Sequence, residues 1–231
     1  MKRLLLLCAL AACCTGAFAQ GASAPAQNVL QLSASGVVEV SQDLLSLHLN
    51  TTREGADPAL VQSQLRTALD AALNEARKSA SPGQLDVRTG NFAIYPRNSR
   101  DGKLNGWQGQ AELVLEGRDF ARITQAAGRI QTMTLAGAGF GLSREQRAKV
   151  EGEAQAIAIE RFKSRAIELA KAFGFSGYTL REVSVQDSDA GYPRPVMMRQ
   201  AMAAEGAAAP IPVEAGRASV TVTVSGSVQL R

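Results

Sequence analysis

The apolar residues between positions 43 and 142 alternate between two periods in a fixed order, and that order leaves few folds open. Leu45, Leu47 and Leu49 alternate with Ser46, His48 and Asn50, which is the period of a half-buried strand ending near Arg53. Asp57-Pro58 then supplies an N-cap and a first-turn proline. Leu60, Val61, Leu65, Ala68, Leu69, Ala72, Leu73 and Ala76 follow at helical spacing until Ser81-Pro82-Gly83. Leu85–Tyr95 is extended, with Val87, Phe92 and Ile94 as its apolar marks. Pro96–Gly106 is a polar turn containing Asp101-Gly102, a hairpin signal. Trp107–Glu116 returns with Ala111, Leu113 and Leu115 on one face. Asp119 caps a short helix through Ile130, and 132–142 is a strand of small residues. Strand, helix, strand, strand, helix, strand is the split, ferredoxin-like βαββαβ order.

The flanks carry the remaining elements. Val29–Val40 alternates like a strand, and Ser41-Gln42-Asp43 turns the chain. Ser143-Arg144-Glu145-Gln146 reads as a capping box opening a long helix to Phe173, with Gly174 as C-cap. Its buried side is Val150, Ala154, Ile157, Ala158, Phe162, Ala166, Leu169 and Phe173. Tyr178–Gln186 and Ala218–Leu230 are strands, the second marked by Val220, Val222 and Val224. Residues 187–216, rich in Pro, Gly, Ala and Met, read as a long loop. The predicted class is α+β: a ferredoxin-like unit over 43–142 and a second α+β layer. That layer combines 29–42 with 143–231, so the first strand, the long helix and the C-terminal strands share it. A composition of 45% hydrophobic residues gives 29–231 ample material for a core.

The first 28 residues are of a different kind. Met1-Lys2-Arg3 is basic, Leu4–Ala12 is apolar but too short to span a bilayer, and Ala17-Phe18-Ala19 fits a small-x-small cleavage pattern. This predicts a signal peptide over 1–19, cleavage between Ala19 and Gln20, and a flexible lead-in over 20–28. Leu10-Ala11-Ala12-Cys13 also reads as a lipobox, in which Cys13 would carry lipid and hold the protein at a membrane. Either way the destination is outside the cytoplasm: the periplasm, or the outer membrane by association.

The three cysteines (Cys8, Cys13 and Cys14) all lie in that leader, and His48 is the chain's one histidine. The mature chain therefore has no disulfide to form, no thiolate nucleophile and no ordinary zinc ligand set. Loss of Lys2 and Arg3 lowers the formal net charge from +4 to +2, and no basic block interleaves with aromatics, so nucleic acid is not an expected partner. His48, on the polar face of its strand and with no acid near it in sequence, reads as a surface or hydrogen-bonded side chain. No G-x-S-x-G elbow accompanies it. Gly137-Ala138-Gly139-Phe140-Gly141 lacks the spacing and the lysine of a phosphate loop and reads as a small-residue strand under a helix. Glu151, Glu153, Glu160 and Glu168 alternate with Arg and Lys on the long helix, as on a solvated face. Tyr95 and Trp107 flank the hairpin turn and offer stacking surfaces, with packing the default. Met197, Met198 and Met202 form the best candidate group, with Met198 and Met202 at helical i,i+4 spacing. Three readings stay open for them: packing at a subunit or partner surface, absorption of oxidants, and Cu(I) binding by thioethers. No cofactor and no enzymatic activity are expected.

Several stretches, taken in order, resemble the SIMPL-domain family, which includes bacterial periplasmic and outer-membrane immunogenic proteins. They are Ser35-Gly36-Val37-Val38-Glu39-Val40 with Asp43, Val87 to Pro96, Gly106-Trp107, and Phe140-Gly141-Leu142-Ser143. Leu169-Ala170 with Gly174, Pro195 to Arg199, and Ile211-Pro212 through Gly216 complete the series. The chain departs from the family at Gln42, where proline is common, at Arg144, where an acid is common, and at Trp107, where tyrosine is usual. The resemblance implies an exported α+β protein, linked by name to oxidative stress defence and without agreed catalytic residues. The expectation is a non-enzymatic envelope protein acting through protein contacts or homo-oligomers. The alternative is a periplasmic binding module for Cu(I) or a small ligand that uses the Met-rich loop.

Overall fold

The computed structural model describes residues 27–188 and 214–231. Ten elements run in the order β1 (Val29–Ser41), β2 (Leu44–Gly55), α1 (Pro58–Arg77), β3 (Asp86–Asn98), β4 (Leu104–Gly117), α2 (Phe120–Arg129), β5 (Thr134–Gly141), α3 (Arg144–Ala172), β6 (Tyr178–Ser188) and β7 (Arg217–Leu230). They form an α+β fold with two antiparallel sheets. The four-stranded sheet has the order β3-β4-β2-β5 and holds the βαββαβ unit. The three-stranded sheet has the order β1-β7-β6.

Each helix begins where a short polar side chain takes up a first-turn N–H that has no partner inside the helix. Asp57 accepts from Ala59 N at 2.9 Å, Asp119 from Arg122 N at 3.0 Å, and Ser143 Oγ from Gln146 N at 3.2 Å. The capping box at Ser143 differs from the sequence reading in its second half. The Ser143 N–H is taken by the Asp43 carboxylate at 2.7 Å, not by Gln146. The long helix ends in a Schellman motif: Phe175 N–H bonds Ala170 O, Gly174 N–H bonds Lys171 O, and Gly174 is left-handed at φ 83°.

The larger core lies between the four-stranded sheet and helices α1 and α2. Leu45, Leu47, Leu49, Leu113 and Leu115 point from the sheet, and Val61, Leu65, Leu69 and Ile123 meet them. Burying side chains of this size stabilises by roughly 1.5–3 kcal/mol each. The smaller core lies under α3, whose buried positions recur every fourth residue: Val150, Ala154, Ala158, Phe162, Ala166 and Ala170. Most of these are alanine, so the helix sits low on β1 and β7. Gly36 shows how low: a Cβ there would stand 2.0 Å from the Ala154 carbonyl oxygen. Ile157 and Phe173, expected on the buried side, are exposed instead, because the four-residue stripe turns them away from the sheet.

The hairpin is longer than its polar sequence suggests. β3 continues through Pro96 to Asn98 and β4 starts at Leu104, so the turn shrinks to Ser99–Lys103, closed by Ser99 N–H to Lys103 O at 2.8 Å. Pro96 is tolerated because β3 is an edge strand with no ladder partner on one side.

Candidate functional site

Among the described residues two surfaces lie outside the cores. The first is the face of the four-stranded sheet that none of the described helices covers. Cross-strand register puts Ser46, His48 and Asn50 of β2 beside Glu116, Val114 and Glu112 of β4. On the outer strands the same rows continue into Arg88 of β3 and Gly137 and Gly139 of β5. His48 Nδ1 donates to Glu112 Oε1 at 2.7 Å, and the Asn91 N–H donates to Glu112 Oε2 at 3.0 Å. Ser46 Oγ donates to Glu116 at 2.6 Å, and Arg88 lies 3.8 Å from the same carboxylate.

The absence of an acid near His48 is thus a feature of the linear chain alone, and the structure corrects it. Glu112 is 64 residues away and arrives by strand pairing. The backbone N–H of Asn91 holds the Glu112 carboxyl below its ordinary range, and the His48 ring adds to this against partial burial. The carboxylate orients the imidazole ring. Among the described residues the pair stands on a sheet face that leaves both side chains partly exposed, and each carboxylate already has protein donors. Among the described residues no three His, Cys, Asp or Glu side chains converge to hold a metal ion.

The second surface belongs to the three-stranded sheet. α3 lies over β1 and β7 and barely reaches β6. Leu180, Val183 and Val185 share the helix-side face with buried Val228 and Val224, yet they are 55%, 45% and 43% exposed. The opposite face carries hydroxyls. Ser35 and Thr223 bond each other at 3.0 Å, and a shallow groove of about 440 Å³ is lined by Gln31, Ser33, Glu182, Ser184, Ser225 and Ser227, among others.

The remaining sequence candidates divide clearly. Pro96 pairs with Trp107 and Tyr95 with Gln108, so Trp107 packs against the core and Tyr95 lies on the open face. They cannot stack one ligand between them. Gly137, Gly139 and Gly141 lie on strand β5, whose Phe140 meets Phe120 of α2 edge-on at 5.7 Å. On α3, Arg147 lies 3.7 Å from Glu151, one of the expected local ion pairs. Ala17, Ala19 and Gln20 at the cleavage site, Cys13, and Met197, Met198 and Met202 all lie outside the described residues.

The sequence places Asp43 in the β1–β2 turn and among the residues of the resemblance, but its contacts were missed. Its carboxylate takes both the N–H and the Oγ–H of Ser143, at 2.7 and 2.6 Å, and lies 3.4 Å from Arg118, which also reaches Glu145. These contacts join the β1–β2 turn, the β4–α2 turn and the start of α3. The joint spans the two sheets' connections, so this polar cluster is an architectural one.

A solved structure described as "The crystal structure of AtUAH in complex with glyoxylate" is similar at 16% identity and a TM-score of 0.27, over 54% of this chain and 34% of that one. This chain therefore spans about a third of that protein's length, and the likeness carries no argument. No curated protein matches the sequence. The family model described as "SIMPL: Protein of unknown function (DUF541)" matches residues 30–228, from the first strand to the last. The residues that carried the resemblance have structural work in this fold: Gly36 admits α3, Asp43 and Ser143 start it, and Gly174 ends it. The chain belongs to the SIMPL family.

Proposed function

We propose that this chain is an exported cell-envelope protein that acts without enzymatic chemistry, through contacts with protein partners or with copies of itself. The observation that carries the contact reading is the row Leu180, Val183 and Val185, an apolar strand face that its own helix leaves uncovered. The polar face around His48 and Glu112 supports the non-enzymatic reading, because its charged groups bond one another on a flat surface rather than converge on a cleft. The leader pattern of Lys2-Arg3, the apolar run and Ala17-Phe18-Ala19 supports export to the periplasm or to the outer membrane by association. A part in oxidative stress defence is consistent with the methionines at 197, 198 and 202 but rests on the family resemblance.

The test is fractionation of cells expressing the full chain, followed by N-terminal sequencing and light scattering of the released protein. The reading expects an envelope fraction, a first residue of Gln20 and a mass above one chain. Retention of the uncleaved chain in the cytosol overturns export. A mass of one chain at all concentrations, with no co-purifying envelope protein, overturns the contact reading.

A further inference from the structure

We propose that the outer edge of β6 pairs, antiparallel, with β6 of a second copy of this chain about a two-fold axis at Ser184. The proposal deepens the contact reading above and rests on it.

The two sheets have four edges, and three carry devices that discourage pairing. On β1, Arg161 donates to the Ser35 carbonyl at 2.8 Å and Arg165 to the Ser33 carbonyl at 3.3 Å, so the long helix covers part of that edge. On β3, the register breaks between Thr89 and Phe92 and again after Pro96, a residue with no N–H to offer. On β5, the strand is eight residues long, glycine-rich and broken in register opposite His48 and Leu49. On β6 the break falls near the start of the strand and leaves the rest regular. Its one irregularity lies between Leu180 and Glu182, and from Glu182 onward it pairs with β7 without a break. Among the described residues no strand pairs with its other edge, and no side chain donates to its carbonyls.

The sequence of that stretch is compatible with itself. A two-fold at Ser184 sets Val183 against Val185 of the other copy on the helix-side face. It sets Ser184 against Ser184 and Glu182 against Gln186 on the hydroxyl face. Each pair matches in polarity, and no like charges meet. Moving the axis to Val185 would set Val183 against Asp187, which places a carboxylate on an apolar side chain. Moving it to Val183 would bring the irregular step at Arg181 into the ladder. The Ser184 register thus joins two three-stranded sheets into one six-stranded sheet. The exposed valines of both copies then lie side by side between the two α3 helices, where each buries the other's apolar surface.

The natural cysteines all lie in residues 1–14, so Ser184→Cys is the sole thiol of the processed chain. Two residues directly opposite on antiparallel strands fall within the Cα separation a disulfide needs. The experiment is mild oxidation of Ser184→Cys, with Ser33→Cys as the control on the same face of the sheet. It is paired with light scattering of the Val183→Lys/Val185→Lys chain, checked for folding by circular dichroism. The expected result is a disulfide dimer from Ser184→Cys, little from Ser33→Cys, and a halved mass for the double lysine variant. If the natural chain is oligomeric but Ser184→Cys does not cross-link and the lysines leave the mass unchanged, this edge is wrong while the contact reading stands. If the natural chain is monomeric and deletion of 192–210 makes it dimeric, the edge belongs to the chain's own segment and the proposal falls.

Discussion

The two layers of this molecule solve the same packing problem with different completeness. The four-stranded sheet has two helices, α1 and α2, and the core between them is built from leucines fully withdrawn from water. Its uncovered face is polar, and its charges are satisfied within the protein. Among the described residues the three-stranded sheet has one helix, whose alanine stripe brings it close to β1 and β7 but leaves the apolar side of β6 exposed. A well-covered sheet with a self-satisfied outer face has little to offer a partner. A half-covered one with an open edge does. On the reading proposed above, protein contact belongs to the second layer, and that assignment uses no catalytic group.

The contrast is sharpest at Phe162, the one large side chain among the buried positions of α3. Phe162→Ala should cost about 3–5 kcal/mol, more than any small-core valine. Urea unfolding followed by circular dichroism should show the second layer melting first. A single transition shifted by less than about 1 kcal/mol would mean the layer is held by something other than its small core. Next in size is the joint between the layers. Asp43→Ala leaves the Ser143 N–H and hydroxyl without their acceptor and should cost about 2 kcal/mol in the same measurement. The isosteric Asp43→Asn should recover part of that, because an amide oxygen still accepts.

The Glu112 carboxyl gives a smaller, pH-dependent effect on the first layer. Its folded-state pKa is depressed, so its contribution is present above the unfolded glutamate value and lost as pH falls through the folded one. The urea midpoints of the natural chain and Glu112→Gln should therefore differ at neutral pH and converge as the pH falls below the ordinary glutamate range. A constant difference across that range would show that the Asn91 and His48 contacts do not favour the carboxylate. The smallest effect belongs to exposed helix pairs. Lys78→Ala removes an i,i+3 contact with Glu75 and should change stability by about 0.3 kcal/mol or less, falling further in high salt.

Helix starts were legible because their determinants are local. Asp57, Asp119 and Ser143 each bond an N–H within three residues, so the cap and the helix it starts are read together. The order of elements in the first unit was legible for a related reason: leucine alternation in β2 and β4 and the stripe of α1 report their own faces. Pairings that close over long stretches of chain were not legible. His48 with Glu112 and Asp43 with Ser143 join residues 64 and 100 positions apart, and nothing local fixes the register that brings them together. The alternation of β2 and β4 does place His48 and Glu112 on polar faces, which is the one signal available. The hairpin was underestimated because ladder pairing extends strand structure through Pro96–Asn98, where composition favours a turn. The exposure of β6 among the described residues follows from the position of α3, which depends on Gly36 and the alanine stripe together.

The most direct test of the account is amide hydrogen exchange of the processed chain at dilute and concentrated protein. The account predicts that the amides of 182–186 not already bonded to β7 exchange more slowly at high concentration, that those of β1 and of the four-stranded sheet do not change, and that Val183→Lys/Val185→Lys abolishes the difference. Equal exchange of β6 at both concentrations, or protection that appears instead on the His48–Glu112 face, would contradict it.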